Sequence, residues 1–155
     1  MESTKRKKNY GVSEIEVSYS PRVKASERPK VSSSEEASKI LRDSWDDSKI
    51  EYIETFKVML LDRSNKVLGI LEASRGGISG TVADPKVIFG AALKASASSI
   101  LLCHNHPSGN RYPSENDRKM TRKMRAAGEL LDLPVLDHII ITSEEYYSFA
   151  DEGFL

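Results

Sequence analysis

The sequence predicts a mixed α/β domain over residues 34–155, with helices packed against a central sheet. Segments with strand-like and helix-like periodicity mingle along this region, which is typical of α/β folds. The clearest strand is the apolar run at residues 100–103, which is bounded by turn-forming residues. A chain of 155 residues is also long enough for one domain with a substantial core.

Residues 1–33 are predicted to be a basic N-terminal tail, and residues 1–30 are expected to add no catalytic group. Residues 1–30 contain eight Lys and Arg against four Asp and Glu, whereas the rest of the chain has 15 against 19. The basic cluster at residues 5–8 predicts a solvated tail, and attraction to nucleic acid is the alternative interpretation.

The first periodic segments lie just before and just inside the predicted domain. Ile15, Val17 and Tyr19 alternate with polar residues, which predicts a short strand able to join a sheet edge of this or another chain. Residues 20–33 contain two prolines and a serine run, and they are predicted to be a linker. An apolar stripe at helical spacing then predicts a helix at residues 34–45.

Two strands, a connection and a second helix follow. The strands are predicted at residues 53–61 and 67–73. Residues 76–81 are rich in glycine but lack the Gly-Lys-Ser/Thr of a phosphate loop, so we expect a flexible connection near the site. Asp84 is predicted to cap a helix that runs to residue 95, because Pro85 suits the first helical position.

The last third of the chain completes the predicted sheet. A strand is expected to start at residue 100 and reaches residue 106 if the extended backbone continues, and a helix is expected at 114–131. A further strand at 136–142 contains His138, and a terminal strand or turn carries Tyr146, Tyr147 and Phe149. His138 either orients a ligand or binds substrate, or it is a hydrogen-bonded structural histidine.

The segment after the central strand has the composition of a metal site. His104 and His106 point to the same face if the extended backbone continues, because strand side chains alternate with a period of two. Pro107 favours this geometry, since it biases His106 away from helical conformation. Two imidazoles that project together from a strand end are suitable metal ligands.

Asp117 is the third candidate ligand. Helical spacing puts it on the inward face of the helix that starts after Ser114, where an unpaired carboxylate is costly and a metal would remove the cost. The alternative is that Ser114 and Asp117 form an ordinary capping box. Two His and one Asp are three protein ligands, which leave the fourth tetrahedral position free, as in catalytic zinc sites.

The motif His104-x-His106, seven residues, then Ser114-x-x-Asp117 resembles that of JAB/MPN (JAMM) metalloproteases. The fuller text HNHPSG…PS..D, with Asp137-His138-Ile139-Ile140 downstream, is similar to the RadC branch over residues 50–155. The resemblance implies a JAB/MPN, cytidine-deaminase-like architecture with one Zn²⁺ at His104, His106 and Asp117. One departure is Asn105, where the eukaryotic deubiquitinases of this class have Ser or Thr.

Glu54 and Ser114 are the candidate catalytic residues. Glu54 lies on the same face of its predicted strand as Phe56 and other apolar residues. On that pattern alone, Glu54 either faces the site or lies in solvent at the end of the strand. The family's E-x-F context, matched by Glu54-Thr55-Phe56, favours Glu54 over Glu51. The resemblance implies that Glu54 is the general acid and base and that Ser114 donates a hydrogen bond to the developing oxyanion. It also implies a peptide or isopeptide bond as the target, whereas the residues alone indicate metal-assisted hydrolysis.

Several other classes fit less well. A zinc deaminase needs a Pro-Cys-x-x-Cys pair, but Cys103 is the single cysteine. An amidohydrolase barrel needs about 250 residues. A Cys103–His104 thiol enzyme fails because strand neighbours point to opposite faces. Two alternatives remain open: a nucleic-acid-associated protein with the DNA-repair label of RadC proteins, and a metal-bearing module that binds a partner without turnover.

Composition gives the expected location and partners. A single cysteine cannot form an intramolecular disulfide and fits a reducing compartment, so a cytoplasmic location is expected. The sequence has neither an apolar signal region nor a run of membrane-spanning length, and no membrane association is predicted. The predicted partner is a peptide or protein substrate, and a homo-oligomer is compatible with the sequence.

Overall fold

Helices and strands mingle along residues 11–76 and 82–155, which a computed structural model describes. The elements of the described residues are α1 Ser34–Asp43, β1 Thr55–Leu61, β2 Val67–Arg75, α2 Pro85–Lys94, β3 Ser99–Asn105, α3 Glu115–Leu130, β4 Val135–Ile141 and β5 Tyr146–Ser148. Each lies within two residues of a predicted segment. Within those two ranges, none of the helices has the length and hydropathy needed to cross a bilayer.

The five strands form one mixed sheet in the order β2-β1-β3-β4-β5. Neighbouring strands are antiparallel except for β3 and β4, which are parallel. A parallel pair requires a crossover connection, and α3 lies in the connection between these two strands. The prediction of a mixed α/β fold is therefore confirmed.

The sheet has a buried core on each face, and the alternation along β3 assigns its side chains to them. Ile100 and Leu102 pack in the core that also contains residues of α2 and α3. Leu101 and Cys103 pack in the opposite core, with residues of α1. Both faces exclude water, so every residue of β3 is buried. The next two residues inherit the same alternation: His104 faces α3, and Asn105 faces the α1 side.

The region before α1 differs from its prediction. The structure forms no strand at Ile15–Tyr19, and Ile15 is 87% exposed. An alternating pattern supplies an apolar face, but a strand also needs hydrogen bonds to the backbone of a partner strand. Here the hydrogen bond to β2 comes from a side chain: the Tyr19 hydroxyl donates to the Leu68 carbonyl at 3.3 Å. The predicted linker contains a 3-10 turn at Ala25–Glu27. The basic cluster at 5–8 and most of the glycine-rich connection, residues 77–81, lie outside the described residues.

Two mid-helix glycines predict opposite effects of adding one methyl group. At Gly128 in α3 an added Cβ would lie 2.3 Å from the backbone carbonyl oxygen of Leu133. We expect Gly128→Ala to lower the free energy of unfolding by about 1–3 kcal/mol, because the backbone must shift. At Gly90 in α2 nothing lies within 4 Å, so Gly90→Ala should raise stability by about 0.5–1 kcal/mol through helix propensity. Urea denaturation measures both, and a Gly128→Ala protein as stable as the unmodified chain would contradict this packing.

Candidate metal centre

The pairing of β1 with β3 brings Glu54 to the two histidines from about fifty residues away. The antiparallel register aligns Phe56 with His104, and their rings stack with centroids 5.9 Å apart. Glu54 precedes Phe56 by two residues and His106 follows His104 by two, so the same register places Glu54 beside His106 on one face. The Glu54 Oε1 atom lies 3.9 Å from His104 Nε2 and 4.0 Å from His106 Nε2.

The start of α3 brings Asp117 to the same point. The Asp117 N–H donates to Ser114 Oγ at 3.1 Å, and the Ser114 N–H donates to Asp117 Oδ2 at 2.8 Å. The capping box that the sequence offered as an alternative is thus formed. The same carboxylate also faces the imidazoles, with Oδ1 3.3 Å from His104 Nε2 and Oδ2 3.2 Å from His106 Nε2. Both contacts coexist because a carboxylate offers about four lone pairs.

The spacing of these atoms is close to that of ligands around a single tetrahedral ion. The two Nε2 atoms are 3.0 Å apart. Two nitrogen ligands of one zinc, each about 2.0–2.1 Å from the ion, are about 3.4 Å apart. A different oxygen of Asp117 approaches each histidine at a distance near this value, whereas the two histidine nitrogens are closer together and the distances from Glu54 are longer. Glu54, His104 and His106 nevertheless form a group that could hold a metal, with ligand atoms within 4.8 Å of one another, so Glu54 is the alternative third ligand.

The hydrogen bonds of His106 direct a lone pair into the centre. Its Nδ1 atom lies 2.6 Å from the carbonyl oxygen of Asn110, which can only accept. In the neutral ring Nδ1 therefore carries the proton, and Nε2 presents its lone pair to His104 and Asp117. Metal-binding histidines commonly donate their second ring N–H to a carbonyl in this way.

The electrostatics of the centre favour positive charge between these groups. Burial opposes ionisation of Asp117, but the adjacent imidazoles of His104 and His106 outweigh burial and hold the pKa of the carboxyl well below its usual range. Burial also lowers the pKa of His106, but the hydrogen bond with Asp117 outweighs burial and raises it. A cation at this point would therefore meet a carboxylate that is already ionised.

Asn105 anchors the segment that carries Glu54, a role that sequence reasoning missed. Its Oδ1 accepts from the Thr55 N–H at 2.7 Å, and its Nδ2 donates to the carbonyl oxygens of Ile50 and Ile53 at 2.8 and 2.9 Å. These three residues flank Glu54, so the amide between the two histidines also determines where the glutamate lies. The sequence did contain one signal for this role. Strand side chains alternate, so Asn105 must face the side of β3 opposite to His104.

His138 is the chain's third histidine, and the structure places it beside His104. It is fully buried on β4, with Nε2 2.8 Å from His104 Nδ1. Burial, and then the neighbouring His104, hold the pKa of His138 well below its ordinary value. Of the three roles that the sequence left open, substrate binding is disfavoured by this burial, because a fully buried ring is not accessible to a ligand.

Replacing Asn105 should destabilise the fold measurably. Asn105→Ala leaves a buried N–H and two carbonyls without partners, so we expect the free energy of unfolding to fall by about 3 kcal/mol. Asn116→Ala, at an exposed position of α3, is the matched control and should change stability by less than about 0.5 kcal/mol. Equal midpoints in urea for the two variants would show that the amide anchors nothing.

Metal analysis should separate the two ligand sets. We expect about one equivalent of zinc per chain after mild purification, and Asp117→Ala should lose most of it. Asp84→Ala is the matched control, because Asp84 caps α2 through the Lys86 N–H and lies in a different helix. It should cost about 1 kcal/mol of stability and keep the zinc. Full zinc content in Asp117→Ala would instead favour the set of Glu54, His104 and His106.

Comparison with known proteins agrees with this geometry. The profile of the RadC-like JAB domain matches residues 31–154. Among similar proteins are UPF0758 proteins of Flavobacterium johnsoniae, 49% identical over 64% of this chain and 44% of that protein, and of Porphyromonas gingivalis, 45% identical over 66% and 45%. A UPF0758 protein of Pelobacter propionicus is 41% identical over 66% of this chain and 44% of its own length. The chain spans less than half the length of these relatives. Because the profile covers most of the sequence, this chain belongs to the RadC-like JAB domain family.

Proposed function

We propose that this domain is a zinc-dependent hydrolase that cleaves peptide or isopeptide bonds, with Glu54 as its general acid and base. One observation carries the proposal, namely the two distances at which carboxylates meet the imidazoles. Asp117 lies at 3.2–3.3 Å, which suits a shared ion, whereas Glu54 lies at 3.9–4.0 Å. A carboxylate that is near the ligands but not among them is the arrangement that proton transfer requires.

His104, His106 and Asp117 would hold the ion in this proposal. Zinc, when bound, supplies Lewis acidity and makes water more acidic. Glu54 removes the proton of the attacking water and later delivers it to the leaving amine. The RadC-like family membership supports the hydrolase class, and the bond type is our proposal.

Ser114 can donate a hydrogen bond to the negative charge that develops on the substrate carbonyl oxygen. Its oxygen accepts from the Asp117 N–H, and a hydroxyl can donate at the same time. Among residues 11–76 and 82–155, no hydrogen-bond acceptor is assigned to its proton, and Ser114 is exposed. We propose that this proton is donated to the substrate oxygen as charge accumulates there.

A groove beside Asp117 supports an extended substrate. It has a volume of about 340 Å³, and Val82, Ala83, Met120 and Met124 supply its apolar lining. A space of this size accepts the side chain of a peptide next to the bond that is cleaved. We therefore propose a peptide or protein as the substrate.

The nucleic-acid alternative receives less support from the charges of α3. Arg118 and Arg122 lie 3.8 and 3.4 Å from the carboxylate of Glu115, so part of the basic face is neutralised within the helix. Phosphate binding depends on cations that are free to replace counterions. The other alternative, a metal-bearing module without turnover, would have the same metal centre as the hydrolase. Only a test of catalysis distinguishes the two.

Glu54→Gln provides that test. We expect the variant to keep its zinc and its fold, because the amide has nearly the size of the acid, and to lose about 10²–10⁴-fold in rate. Glu51→Gln, at an exposed position three residues earlier, is the control and should retain full activity. Zinc content and cleavage should be measured in the same preparations, with mass spectrometry of peptide mixtures and ubiquitin-like conjugates as substrates.

The other results of this experiment would each favour a different alternative. Loss of zinc in Glu54→Gln would make Glu54 a metal ligand, and full activity would remove it from the mechanism. An unmodified protein that binds zinc but cleaves no member of either substrate set would favour the module without turnover.

A further inference from the structure

We propose that His138, together with Thr121, is a positioning residue that fixes the tautomer of His104, so that the His104 Nε2 lone pair faces the metal centre. The inference rests on the proposed metal site and is independent of the bond that is cleaved. It assigns a function to a buried histidine and a buried threonine that belong to neither candidate ligand set.

A continuous hydrogen-bond chain connects these residues. His104 Nδ1 lies 2.8 Å from His138 Nε2, and His138 Nδ1 lies 2.6 Å from Thr121 Oγ1. The Thr121 hydroxyl donates to the backbone carbonyl of Asp117 at 2.7 Å. The hydrogen-bond chain therefore starts at one candidate ligand and ends on the backbone of another.

Counting protons assigns a direction to the hydrogen-bond chain. A backbone carbonyl can only accept, so the single hydroxyl proton of Thr121 points to Asp117. Thr121 Oγ1 must then accept from His138, whose Nδ1 carries the proton. A neutral His138 leaves Nε2 as an acceptor, so His104 donates from Nδ1. The remaining nitrogen of His104, Nε2, then has no proton, and its lone pair is available to a cation held between His104, Asp117 and His106.

The opposite direction of donation would close the centre to a cation. If Thr121 donated to His138, the Asp117 carbonyl would lose the hydroxyl, and His104 would carry its proton on Nε2. That proton would point at the Nε2 atom of His106, 3.0 Å away, in the place where the ion must bind. The direction in which Thr121 donates to the Asp117 carbonyl is therefore the one that leaves His104 Nε2 available to a metal.

The surroundings of His138 hold its ring in position without offering another partner. The ring stacks on Phe149 with centroids 4.7 Å apart and meets the edge of Phe56 at 5.7 Å. The preceding residue, Asp137, accepts from the His138 N–H at 2.7 Å and from the Ser148 hydroxyl at 2.6 Å. The two residues therefore have different roles: Asp137 holds the backbone around His138, and the His138 side chain bonds His104.

Four variants test the inference through zinc affinity, measured by competition with a chelator at one pH. We expect about 10–100-fold weaker zinc binding in His138→Phe and in Thr121→Val, because each breaks the hydrogen-bond chain with little change in volume. Thr121→Ser keeps the hydroxyl and should stay within about twofold of the unmodified protein. Thr142→Val is the matched control: this buried hydroxyl bonds Glu145, so its loss should lower the melting temperature of the metal-free protein while zinc affinity stays unchanged.

Imidazole nitrogen NMR gives a second measurement, and it is simple because the chain has three histidines. In the zinc-loaded protein we expect His104, His106 and His138 all to carry their proton on Nδ1. Unchanged zinc affinity in both His138→Phe and Thr121→Val, or a His138 proton on Nε2, would overturn the positioning role alone. An unmodified protein without zinc affinity would overturn the proposed metal site and this role together.

Discussion

The pairing of β1 with β3 determines where the candidate residues of the sheet lie. The register that aligns Phe56 with His104 places Glu54 beside His106 and turns Asn105 to the opposite face, where it anchors the segment before β1. A slip of one residue would exchange the two faces and bury Glu54 among aliphatic side chains. Apolar residues on both faces of the sheet therefore hold the geometry of the polar centre.

The polar centre carries a desolvation cost that a bound cation would reduce. A largely buried carboxylate and two imidazoles with converging lone pairs are expensive to desolvate. Asp117 recovers part of this cost through the capping box of α3, and the histidines recover part through bonds to Asn110 and His138. Each of these bonds is compatible with an unprotonated atom directed at the centre, so the interactions that stabilise the chain would also suit a bound cation.

Features that depend on neighbouring residues could be predicted from the sequence, whereas features that depend on residues distant in the sequence could not. The central strand and α3 follow from local periodicity, and local spacing sufficed to select His104, His106 and Asp117 as candidates that the structure brings together. Glu54 required a family resemblance, because the register that brings it to the site is not encoded near either strand. The roles of Asn105 and Thr121 depend on partners 50 and 17 residues away, and strand alternation indicates only which face of β3 Asn105 occupies. Ile15 and Val17 show the converse: a strand pattern forms no strand without a partner.

The position of the metal relative to the two carboxylates tests this account most directly. A crystal structure of the zinc-loaded protein, with diffraction recorded at the zinc absorption edge, locates the ion without assumptions about its ligands. We predict zinc at about 2.0–2.2 Å from His104 Nε2, His106 Nε2 and an oxygen of Asp117, with the Glu54 carboxylate beyond bonding distance. Zinc bonded to Glu54, with Asp117 engaged only in its capping box, would contradict the assignment of Glu54 as the proton carrier.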